Sequence, residues 1–190
     1  MKKGSVLRIA IAVVVYLLLY IIGASSGMIH PACYAYAGTF LPLLMAFVYL
    51  YTAAHMQCFG AATVLNGAAL IVGLVTGEAD LAFIIVIVVL TVLAELLRKR
   101  KGYDTRSGVR LSFIPFAFSF YGYSAHWWTD TPGALAAAVE EMPAGYADKM
   151  EPVIRNIPVL IVMLVLTIPV AILAIRLAEK AMGKQAKSLQ

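Results

Sequence analysis

Six apolar stretches, almost free of charge, alternate with polar connections along this chain. They lie at approximately Val6–Ile22, Ala35–Ala54, Phe59–Thr76, Leu81–Leu97, Leu111–Trp128 and Ile157–Leu177. Each has roughly 17–21 residues, and at about 1.5 Å per residue that length covers about 30 Å of hydrocarbon. The pattern predicts an all-α integral membrane protein, with six transmembrane helices in one compact bundle and residues 1–190 forming a single membrane domain. Pro42 and Pro169 fall inside the second and sixth stretches, where neighbouring helices can take up the freed carbonyls. Pro158 stands in the first turn of the last stretch, where its missing N–H has no consequence.

The polar positions refine this picture. At 100° per residue, Ser112, Phe116, Ser119, Tyr123, His126 and Trp127 share one face of the fifth helix. Ile114, Phe118, Tyr121, Ala125 and Trp128 share the other. Polar groups within a membrane turn toward protein or water, so the Ser119–Tyr123–His126 face is expected to point inward. An interfacial aromatic belt of Tyr123, His126, Trp127 and Trp128 is the other reading. Asn66 on the third helix needs a hydrogen-bond partner, from a neighbouring helix or a ligand. Gly73 and Gly77 form a small-xxx-small pattern suited to close helix contact. Glu95, beside a basic cluster, is expected to snorkel to the interface.

Two connections are long. Gly23–Tyr34 is uncharged and rich in small residues, and reads as a loop that could fold over the bundle. Thr129–Asn156 suggests two short surface helices, Pro132–Met142 and Tyr146–Ile154, around Pro143-Ala144-Gly145. Together they resemble a lid over an outward cavity; ordinary surface loops are the alternative.

Composition excludes a soluble domain. Of 190 residues, 62% are apolar and 13% charged, and the mean hydropathy is +0.88. Too little polar surface remains to cover the outside of a water-soluble fold. The net charge of +5 does not mark a nucleic-acid partner, because the cations sit at the ends of apolar runs rather than along one patch. Lys2, Lys3 and Arg8 precede the first helix. Arg98, Lys99, Arg100, Lys101, Arg106 and Arg110 join the fourth and fifth, and Arg176, Lys180, Lys184 and Lys187 follow the sixth. The opposite side carries Glu78, Asp80, Asp130, Glu140, Glu141, Asp148 and Glu151, with only Lys149 and Arg155. Positive charge stays inside, so both termini are expected in the cytoplasm of a prokaryotic cell, with the chain in its plasma membrane. The first apolar run is too long for a cleavable signal peptide. Cys33 and Cys58 flank one apolar run, too far apart for a disulfide, and are expected to pack as apolar side chains.

Candidate chemistry is sparse. Gly23-Ala24-Ser25-Ser26-Gly27 matches G-x-S-x-G, but the motif works on a strand-to-helix elbow with an acid–histidine pair, and a glycine-rich turn fits better here. No Walker motif, no row of intramembrane carboxylates and no pore-lining polar rings are present. The chain is therefore expected not to be an enzyme, with no catalytic residues and no cofactor of its own. An intramembrane hydrolase would require a role for Ser25.

Six helices, about 190 residues and elaborate first and fifth connections resemble the S component of an energy-coupling factor (ECF) importer. The narrower resemblance is to its MptD-type (Trep_Strep) branch. It covers nearly the whole chain and is carried by Thr39-Phe40-Leu41-Pro42, Phe59-Gly60-Ala61 and Met142-Pro143-Ala144-Gly145-Tyr146-Ala147-Asp148-Lys149-Met150. The resemblance implies a subunit that captures a micronutrient from outside. It would work with a transmembrane T component and two ABC ATPases, which spend the ATP, and topple in the membrane. The A-x-x-x-A docking pattern of many S components is absent here, since Ala10 is followed by Val14 and Ala12 by Tyr16. Substrate contacts are expected from His30, Tyr34, Ser119, Tyr123, His126 and Trp127. His30, His126 and Met28 are side chains able to ligate haem iron, and aromatic walls suit any flat ligand. A vitamin-like heterocycle or haem would thus fit. His55 belongs at the far end of the second helix, away from substrate. A structural or assembly protein without a ligand is the competing reading.

Overall fold

Tyr16 and Tyr20, Asn66, Thr39 and Ser112 are all buried, and the pairing of these polar side chains explains much of the packing. The computed structural model describes residues 3–183, and no strand occurs among them. The helices are α1 (Lys3–Ser25), α2 (Pro31–Phe40), α3 (Pro42–His55), α4 (Ala61–Thr76), α5 (Leu81–Lys101), α6 (Arg106–Ala117), α7 (Ser119–Ser124), α8 (His126–Thr129), α9 (Thr131–Glu141), α10 (Tyr146–Arg155) and α11 (Ile157–Ala181). Lys2, Lys184 and Lys187, counted in the charge pattern, lie outside the described residues.

Among the described residues, three helical stretches are long and apolar enough to cross a membrane: Val6–Met28, Leu81–Lys101 and Ile157–Ala181. A fourth is α2 with α3, bent by 40° where Pro42 follows Leu41. The bend thus falls at Pro42, one of the two prolines inside the apolar stretches, where a kink is tolerable. α4, at 16 residues, is a shorter apolar helix.

On α1, Ile9, Ala12, Tyr16 and Tyr20 recur at helical spacing and face the core, while Leu7, Ile11, Val14, Leu18 and Ile21 are exposed. The same division on α5 and α11 leaves Ile85, Val88, Val92, Ile161, Val165 and Leu173 outward. An outward apolar face is the reverse of a soluble protein and is what a lipid solvent requires.

The buried hydroxyls and amides are matched across helices. Tyr16 Oη donates to Asn66 Oδ1 (2.7 Å), and Asn66 Nδ2 donates to Thr91 Oγ1 (2.9 Å). Asn66 thus bonds neighbouring helices. Tyr49 Oη donates to Ser112 Oγ (2.7 Å), and Tyr20 Oη to the Ser119 carbonyl (2.8 Å). Thr39 Oγ1 bonds the Tyr121 and Thr167 hydroxyls.

Several expectations are corrected. The fifth stretch is not one continuous helix: it breaks at Phe118 and Ala125, where Phe118 N–H bonds Pro115 O and Tyr121 N–H bonds Phe118 O. These tighter turns advance the chain by more than 100° per residue, so the face count slips. Tyr121, assigned outward, is buried against Gly38, where an added Cβ would lie 2.5 Å from its ring. Glu95 does not snorkel. It is buried and its Oε1 accepts from Ala62 N (2.8 Å) and Thr63 N (3.2 Å), meeting the open donors at the start of α4. Gly77 does not serve packing: it ends α4 with φ at +80°, a left-handed cap that favours glycine. Gly73 does allow close approach, to the Phe83 ring. Cys33 and Cys58 are both free and exposed rather than packed in the core.

Charge separates along the bundle. Arg8 Nη1 lies 3.4 Å from His55 Nε2, and Arg110 pairs with Glu179 at 2.6 Å. Arg98, fully buried, donates from Nη2 to the carbonyls of Ala53, Met56 and Tyr103 at 2.7–2.9 Å. These contacts gather the start of α1, the end of α3, the end of α5 and the end of α11 into one basic end. The opposite end holds the α1–α2 and α4–α5 connections and the α8–α10 helices.

Candidate functional site

The connection between α1 and α2 is far shorter than a 12-residue loop. α1 runs through Gly23 and Ala24 to Ser25, a single 3-10 turn covers Ser26–Met28, and Pro31 opens α2. Small residues that read as turn formers are helical here because they pack. A Cβ on Gly23 would lie 2.5 Å from Leu41 Cδ1 and 2.6 Å from the Phe120 ring. Only Ile29 and His30 remain between the two elements, so this segment is not a lid. Its Ser25 is an exposed helix terminus, which leaves the G-x-S-x-G match without an elbow.

Cover comes instead from α9 and α10. Asp130 caps α9 through Gly133 N (3.2 Å), and Gly145, at φ +80°, turns the chain into α10. Both were anticipated as surface helices, within one or two residues of the observed ends. Between them, the 3-10 turn, α2 and the α4–α5 connection lies a cavity of about 610 Å³, within the usual range for small-molecule sites.

Tyr34, His126, Trp127 and Met28 line this cavity. Tyr34 is the hub: its ring centroid lies 4.6 Å from that of Trp127 and 6.4 Å from that of His126. His126 Nδ1 faces the Tyr123 carbonyl at 3.0 Å. A carbonyl only accepts, so Nδ1 is the donor in this contact. From α10, Tyr146 adds a further aromatic wall, and partial burial raises its hydroxyl above the ordinary tyrosine range.

The other expected contacts separate. His30 is exposed and outside the cavity lining, and its Nδ1 accepts from Ala32 N (3.1 Å) to cap α2. Ser119 is buried and donates to Phe116 O (2.6 Å), so it lines neither cavity described here. Tyr123 faces a second, apolar groove of about 370 Å³ between α1, α4 and α5, with Tyr20, Phe83 and Gly73. His55, on the basic end, is far from both, as expected.

The reading of the residues missed the charge of the site. Glu78, Asp80, Asp130 and Glu141 all line the larger cavity, and among the described residues no Lys or Arg does. Their signal in the sequence is the set of acidic residues on the side opposite the basic clusters.

Among the described residues, an all-helical arrangement with outward apolar faces and an aromatic-lined, acidic cavity at one end of the bundle defines a membrane protein. The model of the Trep_Strep family, described as a hypothetical bacterial integral membrane protein, matches residues 4–187. The chain belongs to that family of bacterial integral membrane proteins. Neither a curated protein nor a solved structure matches it.

Proposed function

We propose that this protein is the substrate-capturing subunit of an ECF-type importer. It takes a small micronutrient, such as a vitamin-like heterocycle, from outside and delivers it with a T component and two ABC ATPases. The observation that carries this reading is the cavity of about 610 Å³ beneath α9 and α10, walled by Tyr34, Trp127 and His126. In this reading the chain crosses the membrane six times: α1, α2–α3, α4, α5, α6–α8 and α11. The acidic, cavity-bearing end faces outward and the basic end faces the cytoplasm, in keeping with the positive-inside rule. The protein is not an enzyme and has no cofactor of its own. The chain carries no nucleotide-binding motif, so energy must come from partners that hydrolyse ATP.

The test is uptake. Proteoliposomes with the T component and both ATPases should concentrate a solute that copurifies with the protein, and only when ATP is supplied on the ATPase side. The chain alone should bind that solute without accumulating it. Accumulation by the chain alone would overturn the importer role. Purification without any small molecule, together with no uptake in the full assembly, would favour the structural or assembly reading.

A further inference from the structure

The lining of the larger cavity has one sign of charge. Glu78, Asp80, Asp130 and Glu141 line it, and among the described residues no Lys or Arg does. Neither described ion pair, Arg110–Glu179 or Arg155–Glu151, involves these carboxylates. Asp80 and Asp130 also cap α5 and α9, so their presence has a local explanation. Glu78 and Glu141 cap nothing. Both are exposed, and among the described residues Glu78 accepts from the Tyr123 hydroxyl alone, at 3.5 Å.

The aromatic wall makes an independent demand for a ligand. Tyr34 and Trp127 are each more than nine-tenths buried, at 7% and 6% exposure, and both line the cavity. Among the described residues, neither the Tyr34 hydroxyl nor the Trp127 indole N–H has a hydrogen-bond partner. Both groups belong to side chains that border the open volume, where a ligand can meet them. The two rings pack on each other at 4.6 Å, so the wall is a fixed aromatic surface.

From these observations, and resting on the capture function proposed above, we infer that the cavity selects an organic cation. Such a ligand has a flat or apolar body against Tyr34 and Trp127 and a positively charged nitrogen facing Glu78 and Glu141. A flat compound bearing carboxylates would bring like charge to the same carboxylates and is disfavoured.

The experiment uses the full chain in nanodiscs, with quenching of tryptophan fluorescence by three probes of one shape. N-methylquinolinium is the cation, quinoline the neutral form and quinoline-4-carboxylate the anion. The cation is expected to bind about tenfold more tightly than quinoline, and the anion most weakly. The double variant Glu78→Gln, Glu141→Gln, which spares both caps, should lower affinity for the cation about tenfold and for quinoline less than twofold. Equal or tighter binding of the anion, or a double variant that keeps the cation preference, would overturn the charge assignment while leaving a receptor. No binding of any probe would overturn it together with the capture function.

Discussion

Arg98 shows how much a single residue can hold. Its guanidinium has no exposed surface, and one nitrogen alone reaches three backbone carbonyls, in the last turn of α3, just after α3 and beyond α5. The end of α3 would otherwise leave carbonyls without partners inside the bundle. Its neighbour one turn earlier, Glu95, satisfies donors at the start of α4. The pair therefore clamps both sides of one connection. Arg98→Met should destabilise the protein by about 3 kcal/mol, since it strands several buried acceptors at once. Reversible unfolding in detergent measures this. A loss below about 0.5 kcal/mol would mean that water replaces the guanidinium. Sequence reading assigned both residues to a solvated cytoplasmic cluster, because a charged residue near a helix end ordinarily reaches water. Only the neighbouring backbone shows why these two turn inward.

At the scale of elements, α9 and α10 form one wall of the cavity. Their existence was legible from Asp130 as a cap and from the Pro143-Ala144-Gly145 break. Their role was not, because periodicity does not say which surface a short helix covers. On α9, Ala137 is exposed and lines the cavity, whereas Ala136, also exposed, does not. Ala137→Trp should fill the cavity and reduce binding of N-methylquinolinium at least tenfold, with stability changed by less than about 0.5 kcal/mol. Ala136→Trp should leave binding unchanged. Equal effects of the two substitutions would show that α9 does not form the wall. The fifth apolar stretch carries the opposite lesson. Its aromatic end was recognised, but the breaks at Phe118 and Ala125 send Tyr123 to one cavity and His126 to another. A uniform 100° count cannot anticipate such a slip, and the only local hint was Pro115 inside α6.

Across the whole molecule, the proposed orientation can be read with the chain's own thiols. Cys33 lies at the start of α2 on the cavity end, Cys58 lies after α3 on the basic end, and both are free and exposed. In intact cells, a membrane-impermeant maleimide should label Cys33 in a Cys58→Ser variant but not Cys58 in a Cys33→Ser variant. The same contrast is expected for Glu141→Cys and Lys101→Cys in a background without native cysteines. The reverse pattern would invert the topology and turn the cavity toward the cytoplasm. The sequence by itself determined the solvent of this protein, the number of apolar stretches, the place at Pro42 where a kink is tolerable and the separation of charge. Each of these follows from composition and spacing along the chain, which lipid reads directly. The tertiary structure alone decided that the first connection is helical rather than a lid, that His30 is a cap, and that Tyr121 faces inward. It also decided that four carboxylates distant in sequence converge on one cavity. These depend on which residues meet across helices, and the close packing of Gly23 on Leu41 and Phe120, or of Gly38 on Tyr121, exists only once the helices are assembled.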